Sequence, residues 1–284
     1  MKVLVTGSDG VIARELIKTL GEHTLLLVDK KSDKDLNSHI VGEEIRGFKP
    51  EIVYHLAASF ERTDESPFFL DINWLDNISA SARLNKVISE IDSVKQYVFA
   101  SSYLIYDPMM YTSLRVTPPY ELSEFSPINP RNLCGSSKLH IENEINFLQR
   151  NIKKDMKVAH ARIFRVYGNG SQDFVARCVQ WAKYDMPVDI WNKENSFDYV
   201  HARDVASALK HLADKELSGV FNVGSGDSRS INEVIALTGV KVKKVENKDL
   251  FENSQADIIK IKSTGWKPLI SLEEGVNELK ETVS

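Results

Sequence analysis

The feature that most restricts the fold of this 284-residue chain is an alternation of short apolar runs with longer amphipathic stretches. The apolar runs are rich in β-branched and aromatic residues: KVLVT (2–6), TLLLV (24–28), IVYHLA (52–57), YVFAS (97–101) and VAHARIF (158–164). Runs that are apolar on both faces are typical of strands inside a parallel sheet. Helix-like stretches such as 73–90 and 135–150 lie between them. The alternation predicts an α/β fold with a doubly wound parallel sheet.

The alternation loosens after about residue 165, which predicts two parts of unequal size. We expect a sheet domain over residues 1–165 and a smaller C-terminal lobe made mainly of residues 166–284. Segments near 197–223 are expected to return to the sheet domain. The proline-rich stretch 107–130 is a long loop, which is more often functional than idle inside a compact domain. It either covers a site or forms a mobile surface loop.

Composition and charge exclude several classes of protein. The chain is 42% hydrophobic and 27% charged with a net charge of −4, which gives no electrostatic case for binding nucleic acid or an anionic membrane. No apolar run approaches the length of a membrane span. The first residues, MKVLVTG, predict a strand and not a secretion signal. We therefore expect a cytoplasmic protein.

The two cysteines, Cys134 and Cys178, are too few to indicate a disulfide framework. Neither belongs to a cluster of cysteine and histidine with metal-ligand spacing. We expect no metal site.

The stretch VLVTGSDGVIARELI carries the signal for a nucleotide cofactor. Gly7 and Gly10 lie at a predicted strand-to-helix turn, where glycine lets the backbone approach a pyrophosphate at the helix N-terminus. Asp29 ends the second predicted strand, about twenty residues further on, where a carboxylate binds the adenosine ribose. The same carboxylate repels a 2′-phosphate. The pattern therefore predicts NAD over NADP, although Lys30 and Lys31 weaken that preference.

Several segments in order along the chain resemble motifs of the extended short-chain dehydrogenase/reductases of the NAD-dependent epimerase/dehydratase kind. The first four are TGSDGVIA for TGxxGxxG, YHLAAS (54–59) for HLAA, FASSYLIYD (99–107) for SSxxxYG and CGSSK (134–138) for YxxxK. Two more are RIFRVYGNG (162–170) for RxxNxYGxG and FDYVHARDVASAL (197–209) for RDFxxVxDVAxA. The resemblance implies a Rossmann-like sheet, a C-terminal lobe for a sugar nucleotide, and a homodimer through the helices near 73–90 and 135–150.

The resemblance, together with the glycine turn, predicts a set of cofactor contacts. The predicted residues are Gly7, Gly10, Val11, Ile12, Asp29, Lys30, Asp35, Leu36, Leu56, Ala57, Ala58 and Lys138.

The catalytic positions implied by the resemblance depart from the family pattern at one place. The family uses a tyrosine as acid/base, a lysine on the nicotinamide ribose and a serine or threonine on the reacting oxygen. Here Ser102 and Lys138 match, and Cys134 replaces the tyrosine. A cysteine sulfur reaches roughly 3–4 Å less far than a tyrosine oxygen, which is more than a hydrogen bond spans. Proton transfer then requires a water, a displaced substrate or another group such as Tyr103.

Two substitutions concern the substrate. Arg165 replaces the asparagine of RxxNxYG, and Phe197 replaces the arginine of RDFxxV. We predict that Arg165 contacts the substrate phosphates, with Ser102 and Tyr103 at the sugar. Arg177 is either a further anion contact or a packing and solvated residue.

Two functions remain open. The first is an NAD-dependent enzyme that epimerises or reduces a nucleotide-activated sugar. The second is a non-catalytic nucleotide-binding subunit, regulatory or scaffolding, that kept the fold and lost the tyrosine. Retention of Ser102, Lys138 and the glycine turn favours the enzyme, because a scaffold needs none of them. The sequence leaves the sugar, the nucleotide and the stereochemistry open.

Overall fold

The computed structural model describes residues 1–61, 65–246 and 249–282. The described strands are β1 Lys2–Thr6, β2 Thr24–Val28, β3 Ile52–His55, β4 Gln96–Ser102, β5 Thr112–Ser113, β6 Tyr120–Leu122, β7 Lys157–Ile163, β8 Arg165–Tyr167, β9 Val188–Trp191, β10 Ser196–His201, β11 Gly219–Val223, β12 Ser228–Ser230, β13 Val242–Glu246 and β14 Phe251–Ala256. The described α-helices are α1 Val11–Lys18, α2 His39–Phe48, α3 Phe69–Ile72, α4 Ala80–Ser89, α5 Leu133–Asn151, α6 Phe174–Lys183, α7 Ala202–Asp214, α8 Ile231–Thr238, α9 Ile259–Ser263 and α10 Leu272–Thr282.

The chain forms two compact units. The first comprises residues 1–105, 128–162 and 206–221, and the second comprises residues 106–127, 163–205 and 222–284. The predicted division near residue 165 differs from this one chiefly in the stretch 106–127, which groups with the second unit. No helix in the described part of the chain is both long and apolar enough to cross a membrane.

The first unit is built around a six-stranded sheet in the order β11-β7-β4-β3-β1-β2. β1 pairs in parallel with β2 on one side and with β3 on the other, and β3 pairs in parallel with β4. The strand order therefore reverses at β1. An open α/β sheet has a crevice outside the carboxyl ends of its strands at such a switch point. The predicted doubly wound, Rossmann-like parallel sheet is confirmed.

The strands of this sheet are buried because their side chains are apolar on both faces. All four residues of β3 and six of the seven in β4 are buried. Helices α2, α4 and α5 cover the sheet with side chains such as Val41, Leu84 and Ile141. Each such side chain stabilises the fold by about 1.5–3 kcal/mol when fully buried. The result is a rigid base for the loops at the carboxyl edge.

A buried histidine links three elements near that edge. The Nδ1 of His55 lies 2.7 Å from the Thr6 hydroxyl of β1, and its Nε2 lies 2.8 Å from the Ser81 hydroxyl of α4. Burial, with a smaller contribution from the charge of Lys138, lowers the pKa of His55 to about 3. His55 is therefore a neutral core residue at physiological pH.

The helix predicted at 73–90 differs in its first half. α3 leads into a π-helical segment, Asn73–Ser79, which continues into α4. The wider turn accompanies the buried side chain of Asn77, whose Oδ1 accepts the Ser59 N–H at 2.7 Å while its Nδ2 donates to the Ser59 carbonyl at 2.8 Å. π-Turns within helices occur frequently at functional sites. This one anchors the segment that follows β3.

The second unit has its own sheet and core. β10 pairs in parallel with β8 and β14 and in antiparallel with β12, while β9 and β13 form a separate parallel pair. Helices α6, α8 and α10 bury Val179, Val234 and Val276 in this core.

Candidate active site and cofactor cavity

A cavity of about 410 Å³ opens in the first unit outside the carboxyl ends of β1, β2 and β3. It is lined by Gly7, Gly10, Val28, Asp29, Lys30, Lys31, Lys34, Asp35, Leu36, Leu56, Ala57, Ala58, Ser59, Asp76 and Ala80. Nine of the predicted cofactor residues are in that list, whereas Val11, Ile12 and Lys138 are not. The cavity volume falls in the range of small-molecule sites.

The glycine turn shapes one wall of the cavity. Gly7 has a positive φ of 70°, and a Cβ at this position would lie 2.6 Å from the backbone nitrogen of Ala57. Only glycine combines that conformation with that approach of two loops. Gly10 then precedes α1, so the first amides of the helix face the turn. The backbone forms a cradle of the kind that accepts a pyrophosphate.

Asp29 is held at the end of β2 by backbone amides. Its Oδ2 accepts the N–H of Asp9 at 3.0 Å, and its Oδ1 accepts the N–H of Lys31 at 2.8 Å. A carboxylate oxygen has two lone pairs, so each retains capacity for a ribose hydroxyl. Lys30 forms an ion pair with Asp76 at 2.9 Å, which holds that ammonium at the cavity wall. The residues present fit an adenosine dinucleotide.

Sequence reasoning missed several residues of the cavity wall, among them Lys34, Ser59 and Asp76. Ser59 donates from its hydroxyl to Asp76 Oδ2 at 2.8 Å, and Lys34 pairs with Glu44 at 2.5 Å. No sequence signal singles out Asp76, because a carboxylate on an amphipathic helix is ordinarily on a solvated face.

The first turns of α5 carry Cys134 and Lys138. Asn132 caps the helix by accepting the Gly135 N–H at 2.9 Å, and Glu65 accepts the N–H groups of Leu133 and Cys134 at 2.7 and 3.0 Å. Glu65 is a further residue that sequence reasoning missed, since it lies 69 positions before Cys134.

Cys134 and Lys138 are both buried, with 6% and 5% of their surface exposed. Burial raises the pKa of the Cys134 thiol; the Lys138 ammonium opposes this rise and the Glu65 carboxylate adds to it. Burial also lowers the pKa of Lys138 to about 8, against the influence of Cys134 and Glu142. The thiol is therefore neutral at physiological pH.

The ammonium of Lys138 is anchored to the end of β4. Its Nζ donates to the Ala100 carbonyl at 2.7 Å and lies 4.8 Å from the centre of the Phe99 ring. One turn further along α5, Glu142 accepts two hydrogen bonds from Arg162, at 3.1 and 2.8 Å, and one from Ser101 at 2.6 Å. This buried network joins α5 to β4 and β7.

Ser102 and Tyr103 follow one another at the end of β4. Ser102 is half-buried, and its hydroxyl oxygen accepts the Leu104 N–H at 3.2 Å. Tyr103 begins a short 3₁₀ turn and is only 5% exposed. The first unit thus contains Ser102, Tyr103, Cys134 and Lys138 on two neighbouring elements, β4 with its turn and α5.

Arg165 and Arg177 belong to the second unit. The Arg165 guanidinium lies 3.7 Å above the Phe197 ring and 3.3 Å from a Glu252 carboxylate oxygen, with about a third of its side chain exposed. Arg177, on α6, lies 5.1 Å from the centre of the Trp181 ring and is half-buried. The packing role left open for Arg177 thus has a specific contact.

The sequence pattern of the NAD dependent epimerase/dehydratase family matches residues 3–224. The chain belongs to this family. A UDP-glucose 4-epimerase of Mycolicibacterium smegmatis is 27% identical over 97% of this chain and 96% of its own length. A dTDP-4-dehydro-6-deoxyglucose reductase of Escherichia coli is 25% identical over 99% and 97%. The solved structure of MoeE5 in complex with UDP-glucose and NAD superposes with a TM-score of 0.86 at 25% identity, covering 99% and 98% of the two chains.

The buried lysine predicts an unusual pH dependence of stability. The pKa of Lys138 is about 8 in the folded chain and 10.5 ordinarily, so below pH 8 both states carry the proton and the folded state bears a penalty of about 3 kcal/mol. Losing the hydrogen bond to Ala100 offsets about 1 kcal/mol. At pH 7, Lys138→Met should therefore stabilise the protein without cofactor by about 2 kcal/mol.

The added stability of Lys138→Met should shrink as the pH rises from about 8 to about 10.5. In that range Lys138 binds its proton only in the unfolded wild-type chain, so the wild type becomes more stable as the pH rises. Urea unfolding at pH 7, 8, 9 and 10 measures it. Lys18→Met is the matched control, since that lysine is 67% exposed. A Lys138→Met variant less stable than wild type at pH 7 would contradict the assignment of a burial penalty.

Proposed function

We propose that this protein is an NAD-dependent enzyme that epimerises or reduces a nucleotide-activated sugar. The observation that carries the proposal is one cavity lined by the glycine turn and Asp29, in the same unit that keeps Ser102 and Lys138. The family is one of NAD-dependent epimerases and dehydratases, and the relatives are an epimerase and a reductase of nucleotide sugars. These comparisons confirm the predictions of an enzyme, of NAD and of a nucleotide-sugar substrate at the level of the class.

The chain supplies a defined set of groups for the cofactor. The amides after Gly7 and Gly10 would hold the pyrophosphate at the start of α1, and Asp29 would bind the adenosine ribose hydroxyls. Lys138 would hold the nicotinamide ribose, as the family resemblance implies. NAD, when bound, supplies the hydride acceptor.

The remaining work of the site falls to side chains on β4 and α5. Ser102 would donate a hydrogen bond to the reacting oxygen of the sugar and orient it. Cys134 would form a short, neutral wall, since its thiol is buried and protonated. A water between the reacting oxygen and the wall, or the Tyr103 hydroxyl, would hold the proton that tyrosine takes in relatives.

A homodimer through the helices near 73–90 and 135–150 remains a proposal, as does a cytoplasmic location. Large apolar side chains are exposed there: Leu70 54%, Ile72 43%, Trp74 64%, Leu75 47% and Phe147 59%. Exposed apolar surface of this kind is typical of protein–protein contacts. The mass of the protein by light scattering tests the dimer, and a monomer would exclude it.

One observation favours the non-catalytic alternative. Burial raises the pKa of Cys134, so the tyrosine's position holds neither a thiolate nor a long acid/base at neutral pH. A subunit of this kind would bind NAD and a sugar nucleotide without turnover. The kinetic experiment below separates the two functions.

The role given to Asp29 predicts tighter binding of NAD and NADH than of NADP and NADPH. The carboxylate binds the ribose hydroxyls and repels a 2′-phosphate. Titration calorimetry with all four cofactors measures the preference, which Asp29→Asn should reduce by about tenfold. Asp33→Asn removes the same charge from an exposed position in the same turn and should leave the preference unchanged. Equal or tighter NADP binding by wild type would refute this role.

The partly exposed side chain of Arg165 in the second unit predicts recognition of a nucleoside diphosphate. Thermal shift with UDP-, GDP-, dTDP- and CDP-sugars, in the presence of NAD, screens for the ligand. At 100 times the dissociation constant a ligand stabilises the protein by about 2.7 kcal/mol, a shift of several degrees. Arg165→Ala should lower the affinity for the sugar nucleotide by about tenfold or more, because one charge-assisted phosphate contact is lost. The thermal shift at a given ligand concentration should fall accordingly.

Arg203→Ala is the matched control, since Arg203 lies in the same unit and pairs with Glu278 at the surface. No shift with any of the four classes would count against a nucleotide-sugar substrate. An equal loss in both variants would count against the role of Arg165.

The short reach of the thiol predicts that Cys134 is dispensable for turnover. Cys134→Ala should lower the single-turnover rate by about tenfold at most, whereas Ser102→Ala should lower it about a thousandfold. The reason is that Ser102 touches the reacting oxygen and the thiol falls short of it. Cys134→Tyr would restore or redirect oxidoreductase activity if the site still has room for the ring.

The measurement is single-turnover kinetics of wild type and the three variants with the sugar nucleotide found in the screen. A thousandfold loss in Cys134→Ala would show that the thiol is the acid/base after all. Absence of turnover in wild type with cofactor bound would favour the non-catalytic subunit.

A further inference from the structure

The segment after β3 brings a carboxylate to the first turn of α5. Glu65 Oε2 accepts the Leu133 N–H at 2.7 Å, and Glu65 Oε1 accepts the Cys134 N–H at 3.0 Å. Both oxygens of one carboxylate therefore bind adjacent amides of the turn that carries the cysteine. The contact joins two parts of the first unit that are far apart in sequence.

With this contact, each of the first four N–H groups of α5 has a hydrogen-bond partner. The first N–H groups of a helix have no partner inside the helix. The Asn132 side chain accepts the Gly135 N–H, and the Asn132 carbonyl accepts the Ser136 N–H at 2.9 Å. Glu65 takes the remaining two. A negative charge at this end also interacts favourably with the helix dipole.

The Cys134 thiol is subject to two charges of opposite sign. Lys138, one turn further along the same helix, lowers its pKa, and Glu65 raises it in addition to burial. Lys138 is in turn influenced by Glu142 on α5, while the charge of Lys138 acts on His55 of β3. A cation beside a thiol favours the thiolate, so Lys138 alone would promote ionisation of Cys134.

We propose that Glu65 is a positioning residue of the active site, which fixes the first turn of α5 through two amides and whose charge adds to burial in keeping Cys134 a neutral thiol. The consequence concerns Lys138. A thiolate one turn away would form an ion pair with its ammonium and compete with the cofactor for it. A neutral thiol is a weak hydrogen-bonding group and leaves that ammonium to Ala100 and to the nicotinamide ribose. This last step rests on the proposed function, whereas the state of the thiol does not.

The thiol can be tested without cofactor or substrate. The rate of alkylation of Cys134 by iodoacetamide is measured on the full chain from pH 6 up to the pH at which the rate no longer rises, with the modified peptide identified by mass spectrometry. Cys178 does not interfere, because it is fully buried and burial raises its pKa to about 12. The variants are Glu65→Gln, Glu65→Asp and the control Glu61→Gln. Glu61 lies in the same segment and binds only Ser66 among the contacts resolved for it.

We expect Glu65→Gln to shift the alkylation profile to lower pH. The rate at pH 7 should rise about fivefold, which corresponds to about 1 kcal/mol, with the same plateau above the thiol pKa. Glu65→Asp retains the charge with a shorter side chain and should lie between wild type and Glu65→Gln. Glu61→Gln should match wild type.

Two results would overturn the proposal. One is an unchanged profile in Glu65→Gln. The other is a rate raised by the same factor at every pH, plateau included, because this pattern means that the carboxylate only covers the thiol. Circular dichroism confirms that each variant is folded, and Glu65→Asp provides the same comparison if Glu65→Gln is not.

A second measurement tests the consequence for Lys138. NAD affinity of Glu65→Gln should fall more steeply with rising pH than that of Glu65→Gln/Cys134→Ala, in which only deprotonation of Lys138, with its pKa of about 8, lowers the affinity. An equal fall in the two variants would overturn the competition for Lys138. Failure of the wild type to bind NAD at any pH would instead overturn the proposed function, with the alkylation result still valid.

Discussion

The docking of α5 against the end of β4 is the constraint on which the rest of the site depends. Gly135 lies against the Leu104 carbonyl so closely that any side chain would collide with it. Lys138 donates to the Ala100 carbonyl, and Glu142 joins Ser101 to Arg162 in a buried network. Removing one partner of a buried ion pair typically costs about 3–5 kcal/mol, since it leaves an uncompensated charge. The geometry of α5 is therefore set by the sheet that supports it.

This rigid docking explains why the fold tolerates a cysteine where the family pattern has a tyrosine. The backbone of the first turn is held by Gly135, by Asn132 and by Glu65, none of which involves the side chain at position 134. A shorter side chain can occupy that position without loss of the helix. What changes is the side chain itself, from the extended phenol of the family pattern to a buried, neutral thiol.

The two departures from the family pattern in the second unit form one structural feature. Arg165 of β8 lies on the ring of Phe197 in the neighbouring strand β10, and Glu252 of β14 pairs with its edge. A guanidinium stacked on a ring and held at one edge loses little freedom when it binds an anion. Phe197 stands where the family pattern has an arginine, and its ring supports the guanidinium of Arg165.

The sequence by itself determined the fold class, the family and nine of the residues that line the cavity. These follow from local patterns: two-sided apolar strands, glycines at a strand-to-helix turn, and a carboxylate at the end of the next strand. Tertiary structure alone decided the surroundings of Cys134. Burial and the approach of Glu65 depend on contacts between residues 69 positions apart, which no local pattern encodes. The same holds for Asp76 in the cavity wall and for Phe197 under Arg165, because sequence spacing does not specify which side chains meet across a sheet.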